Sequence, residues 1–251
     1  MNEIQKLAFQ LRLPFTRNYY LDIIDQAMDK QCSYEEFLIL LLKNEVIQRE
    51  QNGINHRIKS AKFPYLKYLN ELKFDAFPLE VANKIRELQS LSFIEQGRNV
   101  ILVGNPGVGK THTAIGLGIN ACMKGKTVLY ITVPNLITEL KESMTLNQLT
   151  NYKKKFISYD LVVLDELGYI CFDKQGSELL FNLLSLRNEM KSIIITTNLT
   201  FNRWEEIFQD PTLTAAMVDR LTHKAYVINI KGESYRIKET KEWLGIKDTL
   251  T

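Results

Sequence analysis

Eight consecutive residues, Gly104 Asn105 Pro106 Gly107 Val108 Gly109 Lys110 Thr111, have the types and spacing of a phosphate cradle. They fit G-x-x-x-x-G-K-[ST], the P-loop pattern. Glycines let the backbone curl until its N–H groups converge on an anion, and the N-terminus of a following helix adds partial positive charge. Lys110 then brings a full charge to the β- and γ-phosphates of a nucleotide such as ATP, and the Thr111 hydroxyl can ligand Mg²⁺. His112, next along, is grouped with the loop as a cofactor contact. The flanks suit the chemistry. Asn99 to Val103 is an apolar run that predicts a buried strand entering the loop, and Thr113 to Met123 predicts the helix leaving it. A plain glycine turn would not require strand, loop and helix in this order.

A second acidic pair lies downstream. Leu161 Val162 Val163 Leu164 is an apolar strand that ends in Asp165 Glu166. Such a strand carries its last residues to the carboxyl edge of a sheet, where nucleotide sites gather. Asp165 is placed to hold Mg²⁺ opposite Thr111, and Glu166 to orient and deprotonate an attacking water. Alone, the pair would read as an acidic turn; behind a P-loop it reads as a Walker B site. A further apolar run ends in Thr196 Thr197 Asn198. Asn198 is placed either to touch a γ-phosphate or its water, or to cap the following turn.

These residues need a scaffold. Besides the strand before the P-loop, β-rich runs occur at 127–132, 161–164, 193–197 and 226–230, separated by helical stretches. Nearly continuous apolar strands alternating with helices predict an α/β fold with a parallel sheet covered on both faces. One helix is expected over Leu79 to Ile94. Residues 1–62 predict a small all-α N-terminal domain for DNA or partner binding. Ser33 and Glu36 form a capping box before Phe37–Leu42, and Tyr19–Leu21 with Ile23 and Ile24 supply a partner face. Residues 63–78 read as a linker and 79–251 as the nucleotide domain. In the linker, Phe63, Tyr65, Tyr68, Phe74 and Phe77 alternate with lysines; packing onto the next domain is preferred to base stacking.

Composition narrows the class. The 251 residues carry a net charge of only +3, so the chain is no polycation. Charge is nevertheless uneven. Lys43–Lys73 holds seven basic and three acidic residues, and Arg220–Lys247 holds the same numbers. Either stretch suits an anionic polymer or simply a solvated surface. Lys153 Lys154 Lys155 forms a compact triplet and is the candidate DNA contact. Cys32, Cys122 and Cys171 are far apart, which fits reduced thiols in a cytoplasm. His56, His112 and His223 lack metal-ligand spacing, and no run approaches the length of a membrane span. Met1–Lys6 lacks a signal-peptide pattern.

Several strings together resemble the IstB/DnaC-like AAA+ ATPases, and among them the IstB-like transposition helpers. They are Gly104–Thr111, Asp165 Glu166 Leu167 Gly168 Tyr169, Thr196–Leu199, Ala216–His223 and Gly232–Arg236. The likeness runs from about Phe63 to Leu244. It implies a five-stranded AAA+ sheet in a Mg²⁺-dependent ATPase. It implies that Asn198 senses the γ-phosphate, that Arg220 is an arginine finger for a neighbouring subunit's ATP, and that Arg236 is a second sensor. It also implies ATP-dependent homo-oligomers that assemble on double-stranded DNA, deform it, and recruit and stimulate a transposase. Nothing in the sequence looks like a base-reading helix, so DNA binding is expected to be largely independent of sequence. The alternatives are a loader of a replicative helicase, with protein as main partner, and a stand-alone NTPase. Few residues follow Ile230, so the helical lid of many AAA+ proteins is expected to be absent or much reduced.

Overall fold

The computed structural model describes residues 1–244. Residues 245–251, which include the end of the second basic stretch and of the expected nucleotide domain, lie outside the described residues. The chain divides into two compact units, residues 1–56 and residues 57 onward.

The first unit is helical. Helix α1 spans Glu3–Gln10, α2 spans Pro14–Asp29, and α3 begins at Tyr34 and runs to Ser60. The expected capping box closes the start of α3: Ser33 N donates to Glu36 Oε2 at 2.7 Å, and Glu36 N donates to Ser33 Oγ at 3.3 Å. Pro14 takes the first position of α2, where its missing N–H costs nothing. Tyr20 and Ile23 are buried as expected, but Tyr19 and Leu21 are exposed, as are Leu38, Ile39 and Leu42 of α3.

The second unit is built on a parallel sheet of five strands in the order β2-β3-β4-β1-β5. The strands are β1 (Val100–Gly104), β2 (Val128–Thr132), β3 (Leu161–Leu167), β4 (Ser192–Thr197) and β5 (Tyr226–Ile230). Each lies on or within a residue or three of an expected run. Side chains alternate across the sheet, so Val100 and Leu102 feed one core and Ile101 and Val103 the other. The first core is covered by α4 (Leu79–Leu88) and α6 (Lys110–Met123). The second is covered by α7 (Val133–Thr145), α8 (Leu149–Ser158), α9 (Lys174–Ser185), the short α10 (Glu205–Phe208) and α11 (Pro211–Thr222). After β5 the described residues hold one further helix, Tyr235–Leu244.

The expected single helix over Leu79 to Ile94 is two. The first ends at Leu88, Leu91 turns left-handed with φ 64°, and a short helix, α5 (Ser92–Glu95), follows. The helix after the P-loop starts at Lys110 rather than Thr113. The linker phenylalanines pack, as preferred, with Phe63, Leu69, Phe74 and Phe77 joining the first core, whereas Tyr65 and Tyr68 are exposed. Two glycines make room for it. A side chain at Gly116 would run into Leu69, and one at Gly118 into Phe63. Linker and P-loop helix are therefore held face to face.

Candidate nucleotide site

The P-loop bends at two left-handed glycines, Gly107 (φ 83°) and Gly109 (φ 96°). A β-carbon at Gly107 would collide with Ser234 Oγ, while Tyr235 N donates to the Gly107 carbonyl at 3.0 Å. The start of the last helix thus rests on the loop. Lys110 is buried and donates to the carbonyls of Gly104 (2.7 Å) and Asn105 (2.8 Å). Burial pushes its pKa down; Asp165 works against that shift and Arg236 reinforces it. An ammonium so placed is strongly in need of negative charge.

Asp165 is 2% exposed, yet both its oxygens are satisfied. Thr111 Oγ1 donates to Oδ1 at 3.0 Å, Thr196 Oγ1 donates to the same oxygen, and Tyr130 OH donates to Oδ2 at 2.6 Å. Burial, then the hydrogen bond to this carboxylate, raises the Tyr130 pKa. Three elements, α6, β4 and β2, therefore aim donors at one carboxylate. Glu166 points elsewhere. Pairing of β3 with β4 slips between Leu164 and Leu167, and Glu166 takes φ 65°. Its N–H donates to Thr196 Oγ1 at 3.1 Å, leaving the side chain exposed. A bulge of this kind is a common way to re-aim one side chain at a strand end.

A cleft of about 340 Å³ joins these groups. It is lined by Gly107, Lys110, Thr111, His112, Glu166 and Arg236, among others. His112 Nε2 donates to the Tyr68 carbonyl at 2.9 Å, tying the linker to the mouth of the cleft. A second hollow of about 740 Å³ shares Leu72, Lys73, Tyr235 and Glu239 with it. Gly104, Asn105, Pro106 and Val108 belong to the loop but do not line the cleft; Val108 is a core residue.

Asn198 follows β4 directly. Its Oδ1 is shut off from solvent with no hydrogen-bond partner, and it lies against Gly168. The following turn is closed by Thr197, whose hydroxyl accepts from Leu199 N at 3.1 Å, so turn capping does not occupy Asn198. Arg220 is not brought to this cleft. It lies near the end of α11 with Asn99 and Ile193, at the amino edge of the sheet, opposite the P-loop. Its Nη1 donates to Ser185 Oγ, and its Cζ sits 4.5 Å above the Phe181 ring. Asn99 fixes the end of α11, donating to the Leu221 carbonyl at 3.1 Å and accepting from Ile193 N at 3.0 Å. Lys153, Lys154 and Lys155 stand on α8, whose Phe156 is buried while Lys154 and Lys155 are exposed. Among the described residues no cluster of His, Cys, Asp and Glu forms a separate metal site, and no helix is long and apolar enough to cross a membrane.

Sequence reasoning did not single out Tyr130, Thr196 or Asn99. Each looks like ordinary strand material, and its role depends on which strands are neighbours.

The profile of the IstB-like ATP binding protein family matches residues 6–243. The chain belongs to that family. A relative in Pseudomonas aeruginosa, described as a putative ATP-binding protein of insertion sequence IS21, is 38% identical over 242 residues, covering 96% of this chain and 91% of the relative. Among solved structures, the fold is similar to the replication initiator DnaA bound to AMPPCP and single-stranded DNA. That match has TM-score 0.57 and 16% identity, and covers 72% of this chain and 56% of that one. It is also similar to the DnaC helicase loader, with TM-score 0.52, 23% identity, and 73% and 99% of the two chains covered. At such identities the likeness concerns the fold alone, a five-stranded parallel sheet with a P-loop after β1. ATP binding is the family's property, and the buried Lys110 and the anion-ready loop fit it.

Proposed function

We propose that the chain is a Mg²⁺-dependent ATPase that assembles on duplex DNA when ATP is bound and assists the transposase of an insertion sequence. The observation that carries the nucleotide part is the Thr111–Asp165 hydrogen bond at 3.0 Å. It joins P-loop and Walker B carboxylate at one point, which suits a hard cation with oxygen ligands. A bound Mg²⁺ would neutralise charge developing on the phosphates. Lys110 would trade its loop carbonyls for phosphate oxygens. Glu166, exposed beside the buried aspartate, would orient water and take its proton. Asn198 would accept from that water through its unpartnered Oδ1, or donate from its amide nitrogen to the terminal phosphate.

Arg220 supports assembly. An arginine at the opposite edge of the sheet from its own P-loop cannot serve that loop, but can serve a neighbour's. Arg236, on the rim of its own cleft, would contact the nucleotide of the same chain. The DNA part rests on Lys153–Lys155 and the basic stretch 43–73, multiplied by the number of chains in an assembly. The transposition part rests on the insertion-sequence relatives.

The test is strand transfer by an insertion-sequence transposase, with and without the chain and ATP. The reading requires stimulation that depends on ATP. No stimulation, with stimulated loading of a replicative helicase instead, would favour the loader alternative.

A further inference from the structure

In the N-terminal unit a cleft of about 380 Å³ is lined by three arginines, Arg12, Arg17 and Arg49, with Asn52. Phe9 and Leu13 are among the apolar residues of its wall. Arg12 sits in the turn between α1 and α2 with φ 55°, and the turn is closed by Leu13 N donating to the Ala8 carbonyl at 2.8 Å. Arg17 lies in the first turns of α2, its Cζ 5.9 Å from the centre of the Phe9 ring. Arg49 comes from α3 and donates Nη2 to the Arg12 carbonyl at 3.0 Å.

The charges here do not cancel. The carboxylate beside the cleft is Glu45, 4% exposed. Its Oε1 lies 3.8 Å from Arg49 Nε, and its Oε2 already accepts from the N–H (3.0 Å) and hydroxyl (3.2 Å) of Thr16. Arg49 thus has a carboxylate partner, while among the described residues Arg12 and Arg17 form no ion pair. The start of α2 has no side-chain cap of its own and adds its positive end to the same side. Folding does not call for this arrangement, because cations near a helix N-terminus are unfavourable. Guanidinium forks match phosphate oxygens in pairs, and a cleft with apolar walls focuses the field of its charges.

We propose that this cleft is a phosphodiester site, in which the Arg12, Arg17 and Arg49 forks grip the backbone of duplex DNA. It rests on the DNA binding proposed above and assigns part of it to the N-terminal unit. Contacts of this kind position the protein without reading sequence.

The experiment is a titration of fluorescent duplex DNA with the full chain in ATP, repeated across a range of salt. The double variant Arg12→Gln/Arg17→Gln leaves the Arg49–Glu45 pair in place. Its affinity should fall about tenfold or more at low salt. Its slope of log affinity against log salt should flatten by about 0.9 for each phosphate that is no longer gripped. ATP affinity and DNA-free turnover should stay at the wild-type values, which excludes general unfolding. Arg17→Lys, which keeps the charge and loses the fork, should keep most of the slope while binding more weakly. Unchanged affinity and slope in the double variant, with wild type binding normally, would overturn the cleft alone and leave it to an acidic protein surface. A wild-type chain that ignores duplex DNA would overturn both the cleft and the DNA reading.

Discussion

Tyr130 donates its phenolic hydroxyl to Asp165 at 2.6 Å across the β2–β3 pair, inside the sheet. The bond holds one carboxylate oxygen while Thr111 and Thr196 hold the other. Tyr130→Phe keeps the ring and removes that donor. A buried acceptor left unpaired costs about 1–3 kcal/mol, more when charged. The variant should melt several degrees lower and need more Mg²⁺ for half-maximal ATPase activity. A Mg²⁺ titration of turnover checks this; an unchanged midpoint would mean that Tyr130 does not position Asp165.

Lys110 and Glu166 should separate binding from turnover. Lys110→Ala removes the charge that the phosphates require and should abolish nucleotide binding. Glu166→Gln should bind ATP normally and hydrolyse it about 10²–10⁴ more slowly, the usual weight of a general base. Fluorescent-nucleotide binding and phosphate release measure the two steps. Normal turnover by Glu166→Gln would remove it from the catalytic role.

Arg220 should act on a neighbour. Arg220→Ala is expected to bind ATP and lose about 10³–10⁵ in rate, as arginine fingers do. Mixed with Lys110→Ala it should regain activity, because each chain supplies the half-site the other lacks. Absence of rescue, alongside a fully active monomer, would contradict shared sites.

Asp160 makes a pH prediction away from the cleft. Burial acts to raise its pKa, but Lys191 at 2.9 Å and the Thr127 N–H and hydroxyl outweigh it and bring it down to about 2. A depressed carboxylate contributes stability above its unfolded pKa of 3.8 and loses that contribution as pH falls through about 2. Asp160→Asn should therefore be less stable than wild type near neutrality, with the difference closing in the acid range between those two values. Urea melts across that range test it.

Much of this was legible in the sequence, and for identifiable reasons. Strands β1 to β4 are apolar runs buried on both faces along most of their length, β5 at the sheet edge is buried only at Ile228 and Ile230, and the P-loop spacing is fixed by its chemistry. Leu91 was not legible, since a left-handed leucine carries no glycine or asparagine signal. Tyr130 and Thr196 were hidden because their bonds to Asp165 depend on the order β2-β3-β4, which no local pattern records. Glu166 is legible from its neighbour, but its outward aim comes from a bulge visible only in the pairing. Arg12 and Arg17 are not, because their cleft gathers residues of three helices that a run of charge along the chain does not bring together.

The central claim is nucleotide-controlled assembly on DNA. It is tested most directly by titrating duplex DNA with the Glu166→Gln chain in ATP, in ADP and without nucleotide, while following the mass of the complex. The account predicts salt-sensitive binding by a multi-chain complex in ATP, independent of DNA sequence, and weak binding otherwise. Equal binding in all three conditions, by single chains, would contradict it.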